Sequence, residues 1–293
     1  MVLPPYKGSV FRGALGNAFR KVVCPEPRGI CARCPVGAQC LYARFLEPSP
    51  PASYPDASRF RQAPPPYVLN PPLTNRRAFH PGDLIEFDLV LIGDAIDAVA
   101  YFIYAFLEVG RRGLGIERGK YRLLRVDRID DGDSVTIYDG ELETSGSLSA
   151  AKKPPRPCEE SQPESVMLHF LTPLRLKEKG KLVTDLTFSL FFDRLVQRIG
   201  LISCLYGMGK RLPDCNTLQI LAQEIQINND GLRWYDWERY SRRQNESMKF
   251  GGLRGRFGLV GKLGPFMPLL RLGEQINVGQ GTTFGLGRYE IVC

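Results

Sequence analysis

The chain closes on residues 265–273, PFMPLLRLG, and then on residues 277–293, NVGQGTTFGLGRYEIVC. The first piece is a short apolar segment, and the second is a glycine-rich turn feeding an alternating strand. The same order stands earlier in the chain. An apolar helix expected over Ala95–Val109 runs into Gly110-Arg-Arg-Gly-Leu-Gly115 and then into KYRLLRV from Lys120. A glycine turn between helix and strand, seen twice, predicts an α+β fold of two tandem ferredoxin-like (RRM-like) βαββαβ domains.

Outward from these anchors, the polar stretch GELETSGSLSAAKKPPRPCEESQPES has almost no core-forming residues. It divides the chain into residues 1–138, a linker at 139–165, and residues 166–293. The second domain is expected to open with a strand, Val166–Leu176, and a helix, Thr184–Tyr206. Strand-like segments follow at Leu218–Asn228, Leu232–Tyr240, Ser247–Gly252 and Leu253–Leu263. In the first domain, residues 8–23 place Val10, Ala14, Ala18 and Val22 on one helical face, with Phe11, Leu15 and Phe19 beside it. Arg12, Arg20 and Lys21 lie opposite. A strand is expected before that helix, yet only seven residues precede Gly8.

Lys and Arg number 39 against 31 Asp and Glu, a net charge of +8 that fits a polyanionic partner. No stretch approaches the roughly 20 apolar residues that span a bilayer, and the start lacks the layout of a signal peptide. These features lead to the expectation of a cytoplasmic protein without a membrane partner.

Four of the eight cysteines, Cys24, Cys31, Cys34 and Cys40, stand as C-x6-C-x2-C-x5-C. The central C-x2-C lets two thiolates reach one tetrahedral ion, and the flanking pair completes four sulfurs. A structural zinc holding a finger-like insertion after the first helix is expected. Unrelated reduced thiols and an iron–sulfur cluster are the alternatives.

In the terminal turn, Gly279, Gly281, Gly285 and Gly287 let backbone approach a ligand, Thr282 and Thr283 bring hydroxyls, and Arg288 brings charge. A dinucleotide loop would need a helix after its glycines, and here a strand follows. A phosphate clamp and a plain hairpin turn both remain open. A valine at Gly285 or Gly287 is expected to abolish binding by a clamp while the fold survives. In the segment from Trp234 to Arg243, Trp234, Tyr235 and Trp237 alternate with Arg239, Arg242 and Arg243, a pattern of stacking rings and phosphate contacts or of core tryptophans. Arg254 and Arg256 in GGLRGRFG are further groove candidates.

GTTFGLGRYEI at the end, GGLRG at 251–255, RLGEQINVGQ at 271–280, TPLRL at 172–176, WERYSRRQ at 237–244 and FRGALGNAFR near the start together resemble the CRISPR repeat-processing endoribonucleases of the repeat-associated mysterious protein superfamily. The resemblance implies an RNA-binding cleft between two ferredoxin-like lobes and a glycine loop, including Phe284, packed against stem-loop repeat RNA. It also implies metal-independent cleavage: a 2′-hydroxyl attacks the adjacent phosphate, leaving a cyclic phosphate and a 5′-hydroxyl. The chain has Asn17 and Asn277 where the family pattern has histidines, and Gln280 where lysine is expected. Asparagine carries no proton near neutrality. The proton carrier expected here is therefore His169, in the strand VMLHFL on the face opposite Val166, Leu168 and Phe170, with Arg12 and Lys21 balancing transition-state charge. Arg20 joins Arg242, Arg243, Arg254, Arg288 and the loop as RNA contacts. The other histidine, His80, sits in a turn. A relative that no longer cuts would instead be an RNA-binding subunit docked in a CRISPR effector complex.

Overall fold

The computed structural model describes residues 1–26, 31–49, 63–130, 133–141, 163–207, 215–228, 230–236, 238–241, 246–249 and 251–292. In chain order its elements are α1 (Gly8–Val23), α2 (Leu41–Phe45), β1 (Tyr67–Asn70), β2 (Asp88–Leu91), α3 (Val99–Arg112), β3 (Arg125–Asp130), β4 (Asp133–Asp139), β5 (Ser165–Leu174), β6 (Lys177–Glu178) and β7 (Lys181–Leu182). They continue with α4 (Phe188–Tyr206), α5 (Cys215–Leu221), β8 (Gln226–Asn228), β9 (Leu232–Tyr235), β10 (Glu238–Ser241), β11 (Glu246–Lys249), β12 (Gly252–Val260), α6 (Met267–Ile276) and β13 (Tyr289–Val292). The chain forms two compact units. The first holds Met1–Tyr67, Pro71–Pro157 and Leu205–Gly207, and the second holds Val68–Asn70, Cys158–Cys204 and Met208–Cys293.

The second unit is built on one antiparallel five-stranded sheet in the order β13-β5-β12-β8, with β9 also pairing β12. Counted by turn of the chain, this is the order 4-1-3-2 of a βαββαβ ferredoxin-like unit. Alternation fixes the two faces of β5. Val166, Leu168, Phe170 and Thr172 are buried, while Met167, His169 and Leu171 are not. From β12, Phe257 and Leu259 join the buried side opposite Leu168 and Val166. Helix α4 covers it, and Phe188, Phe191, Phe192, Leu195, Ile199 and Ile202 recur at helical spacing and are buried. Phe170 meets Phe191 edge-on with centroids 5.7 Å apart, and Phe192 meets Phe266 the same way at 5.0 Å. Each such ring contributes about 1.5–3 kcal/mol by leaving water. Helix α6 begins with Pro268 in its first turn, where a missing N–H costs nothing.

The first unit packs α1 on α3. Phe11, Leu15, Ala18 and Phe19 of α1 are buried, as are Phe102, Ile103, Ala105, Phe106 and Val109 of α3. Phe102 is the hub, with Phe19, Tyr67 and Phe45 at 4.8, 5.9 and 6.4 Å between centroids. Lys7, at the start of α1, is fully buried. Its ammonium donates to the Thr74 carbonyl at 2.6 Å and to that of Pro5 at 3.1 Å, and burial lowers its pKa.

The expected tandem repeat is not shown in this unit. No second ferredoxin-like sheet forms among the described residues: β3 pairs with β4 in a two-stranded hairpin. The expected first strand is a single bridge, Val2↔Ala78, flanked by Leu3 N–H to the Arg77 carbonyl at 2.8 Å. Proline explains the reduction. Pro4 and Pro5 follow Leu3, and Pro64 to Pro66, Pro71, Pro72 and Pro81 punctuate the rest, each removing a ladder donor. Leu218–Asn228 is also corrected, to a helix and a short strand, because Leu218 and Ala222 are buried at a spacing of four. Among the described residues, no helix is long and apolar enough to cross a membrane.

Candidate nucleic-acid interface

The outer face of the five-stranded sheet carries a group of charged residues from β5, β9, β12 and β13. Strand register places Arg256 of β12 and Glu290 of β13 on either side of His169 in one row. His169 Nδ1 lies 2.9 Å from Glu290 Oε1, and all three side chains are at least partly exposed. One row further, Arg254 stands opposite Arg233 of β9, and its guanidinium lies over Tyr235 at 5.7 Å from the ring centroid. Arg288 precedes Glu290 by two residues and so shares its face.

Arg233, Arg254 and Arg256 meet no carboxylate among the described residues. Among the described residues Arg233 donates to the carbonyls of Asp230 and Leu232. Like charges set directly opposite one another cost stability. Three uncompensated arginines beside an exposed tyrosine are therefore a surface that an anion with flat rings would relieve. Trp234, 37% exposed, sits at the edge and donates to Asp236 at 2.9 Å, which sets aside the expectation of a core tryptophan.

The terminal glycine turn borders this face and is bound into the fold more tightly than its sequence suggests. Gly281, Gly285 and Gly287 have left-handed backbones, with φ of 79°, 82° and 69°. Gly287 N–H donates to Pro173 O at 3.0 Å, Gln280 N–H to Arg175 O at 2.9 Å, and Val278 N–H to Gly287 O at 3.1 Å. Thr172 Oγ1 donates to Gly285 O at 2.7 Å and accepts from Arg288 N–H at 2.9 Å. Thr282 and Thr283 are buried, while Gln280 is exposed and Gly279, Gly281, Phe284 and Arg288 are half-buried. A Cβ on Gly287 would strike the Val278 carbonyl, so the expected fold-neutral valine at this position is corrected.

Asn277 does not face solvent. It is fully buried, with φ 57° and ψ 165°, and its Nδ2 donates to Asn70 Oδ1 at 3.1 Å and Leu286 O at 3.3 Å. Its Oδ1 has no partner among the described residues. Arg198, also buried, donates from Nε to Asn277 O at 3.0 Å and from Nη2 to Ile276 O at 2.9 Å. Sequence reading missed Arg198 and Thr172, which hold the turn, and Arg233 and Glu290, which the strand register brings to the face.

The first-unit residues have intramolecular partners. Arg12 Nη2 donates to the Leu46 carbonyl at 3.4 Å, and its charge opposes the upward pKa shift that burial gives the Tyr67 hydroxyl. Arg20 lies over the Tyr42 ring at 5.6 Å. Burial works against its charge, but the Cys31, Cys24 and Tyr42 side chains outweigh burial and raise its pKa. Tyr42, bonded to Glu47 at 3.1 Å, is pushed up to about 12, by burial first and by Glu47 next. Lys21 pairs with Glu108 at 2.5 Å, Asn17 is exposed, and His80 lies in a turn closed by Asp83. Arg242, Arg243 and Trp237 lie outside the described residues.

Cys24 caps the end of α1, Cys31 and Cys34 flank a single 3-10 turn, and Cys40 precedes α2. Cys24, Cys31 and Cys34 line one cavity with Arg20, Glu26 and Arg33. All four are free thiols, and among the described residues no three of His, Cys, Asp and Glu are gathered for a metal ion.

Residues 1–152 match the model of the N-terminal domain family AF_1859_N, and residues 168–289 match the CRISPR-associated endoribonuclease Cas6. An uncharacterized protein of Archaeoglobus fulgidus is 26% identical over 301 residues, covering 99% of this chain and 92% of that protein. Among solved structures, a product complex of Cas6 (TTHB231) aligns with 18% identity and a TM-score of 0.54, over 99% of this chain and 95% of that one. Thermus thermophilus Cas6 (TTHB231) aligns with 15% identity and a TM-score of 0.51, over 99% and 93%. These two likenesses establish the fold. Residues 1–152 make up more than half of the chain, which therefore belongs to the AF_1859_N family, and most of its second half is similar to the CRISPR-associated endoribonuclease Cas6.

Proposed function

We propose that the protein binds stem-loop CRISPR repeat RNA on the outer face of its five-stranded sheet and cuts it without a metal, by 2′-hydroxyl attack on the adjacent phosphate. The observation that carries this reading is the set of arginines at 233, 254 and 256 with no carboxylate partner among the described residues. Anionic oxygens would satisfy them, and Tyr235 offers a ring to an unpaired base. The test is incubation with a repeat stem-loop in EDTA. Cut RNA ending in a cyclic phosphate supports the reading. Arg254→Ala and Arg256→Ala should each lower the slope of log affinity against log salt by about 1, as lost phosphate contacts do.

A second reading, a binding subunit of an effector complex that no longer cuts, is favoured by Asn277. This residue stands at a position of an expected proton carrier and is locked in the interior. A stable uncut complex in the same assay would select it.

We further propose that Cys24, Cys31, Cys34 and Cys40 take up a structural zinc. The shared cavity of three of these thiols supports this, but they offer no ready ligand set, so uptake would be coupled to closure of the segment around the ion. Native protein without stoichiometric zinc by inductively coupled plasma analysis would exclude it.

A further inference from the structure

We infer that His169 is the general acid of the cleavage proposed above, with Glu290 as its positioning residue and Arg256 as the cation beside the scissile phosphate. The inference rests on that reading and adds the proton path.

Three strands fix the arrangement. The central β5 supplies His169, and its two neighbours supply Glu290 and Arg256 at directly paired positions. Side chains so paired have Cβ atoms about 4.5–5.5 Å apart, so one phosphate can touch both His169 and Arg256. The carboxylate of Glu290 accepts from the ring at Nδ1 over 2.9 Å. That bond sets the ring's orientation and leaves Nε2 as the nitrogen open to a ligand, the arrangement of a carboxylate-held catalytic imidazole. A sheet is a rigid platform for this task, since the ladders on both sides of β5 hold the row. Arg256 meets no carboxylate among the described residues, so its charge is available to the phosphorane.

In the step, the 2′-oxygen forms a bond to phosphorus and the bond from phosphorus to the 5′-oxygen breaks. The departing 5′-oxygen takes the Nε2 proton of His169, and the 2′-hydroxyl proton passes to water. The imidazole regains a proton from solvent, so nothing is oxidised or reduced and no proton is gained or lost overall. The cation at Arg256 balances the charge that builds on the non-bridging oxygens.

The experiment compares two repeat stem-loops, one of ordinary RNA and one with sulfur replacing the 5′-oxygen at the cut site mapped with the wild-type protein. A thiolate leaves without a proton, so it does not need the acid. His169→Ala should cut ordinary RNA about 100- to 10,000-fold more slowly, the range lost with a general acid, yet cut the sulfur substrate at a rate near wild type. RNA affinity, expected to be near wild type, reports that the variant is folded. Glu290→Gln should slow cleavage of ordinary RNA in the wild-type background and add nothing in the His169→Ala background, whereas a merely structural role would add in both. Equal His169→Ala losses on both substrates, or undiminished cleavage, overturn the inference. Wild-type protein that binds the stem-loop and leaves it whole overturns the inference and selects the binding-subunit reading. Protein that does not bind the stem-loop removes both the inference and the proposed interface.

Discussion

The two glycine turns look alike in sequence and are held very differently. The first, around Gly113 and Gly115, closes on itself through the Leu114↔Gly119 bridge and rests on the first residues of the chain. The second is tied by Thr172, Pro173, Arg175 and Arg198, all on β5, the segment just after it, or α4. A repeated motif encoded a repeated turn, but among the described residues the five-stranded sheet formed where a long strand was available beside it. β5 runs ten residues with its one proline, Pro173, next to the end. The matching place in the first unit has two prolines within five residues of the start.

The sharpest way to break this comparison is valine at each turn. Gly287→Val would place Cβ against the Val278 carbonyl at φ 69°, and Gly113→Val would place it against the Arg118 carbonyl at φ 86°. At position 287 the obstruction lies inside the buried unit, so a loss of about 4 kcal/mol or more is expected. At position 113, which is not buried, relaxation should keep the loss to about 1–3 kcal/mol. Denaturant titration of the two variants measures the difference, and equal losses would remove the contrast. Next in size, Phe170→Ala should cost about 3–5 kcal/mol, because a ring buried between the sheet and α4 leaves a cavity. Arg198→Met should cost about 2–4 kcal/mol by leaving the carbonyls of Ile276 and Asn277 buried without their donors.

Asn277→Gly sharpens the comparison at a finer scale. It removes two donated bonds but relieves a backbone that glycine adopts freely and deletes an unpartnered oxygen. Stability within about 1 kcal/mol of wild type is expected, since strain relief and lost bonds are of similar size. The smallest effect belongs to Glu108. The hydrogen bond from Lys21, and then that from Arg112, hold its pKa below the usual carboxylate value against the opposing pull of burial. A depressed carboxylate stabilises above its unfolded-state pKa, and that stabilisation disappears as pH falls through the folded-state pKa. Melting temperatures of wild type and Glu108→Gln should differ at neutral pH and converge in acid.

Periodicity made much of the second unit legible. The faces of β5 follow from strict alternation, and α4 follows from its phenylalanine spacing. His169 was correctly placed on the outer side of its strand by the same rule. Its partners were not legible, because Glu290 lies 121 residues away and only strand register brings it near. Composition suggested that the terminal turn offers its amides and hydroxyls outward. The opposite holds for Thr282 and Thr283, since a glycine turn is equally suited to close packing against backbone. In the first unit a helix and turn repeat did not by itself show a matching sheet, since prolines at 4, 5, 64–66, 71, 72 and 81 remove ladder donors.

Buried Lys7 gives the first unit a built-in chemical clock. An amine enclosed at the head of a helix, donating to Thr74 and Pro5, is shielded from acylating reagents as long as its surroundings stay shut. Its rate of labelling, read peptide by peptide against the exposed lysines, would time the opening of that end of the molecule without any engineered probe.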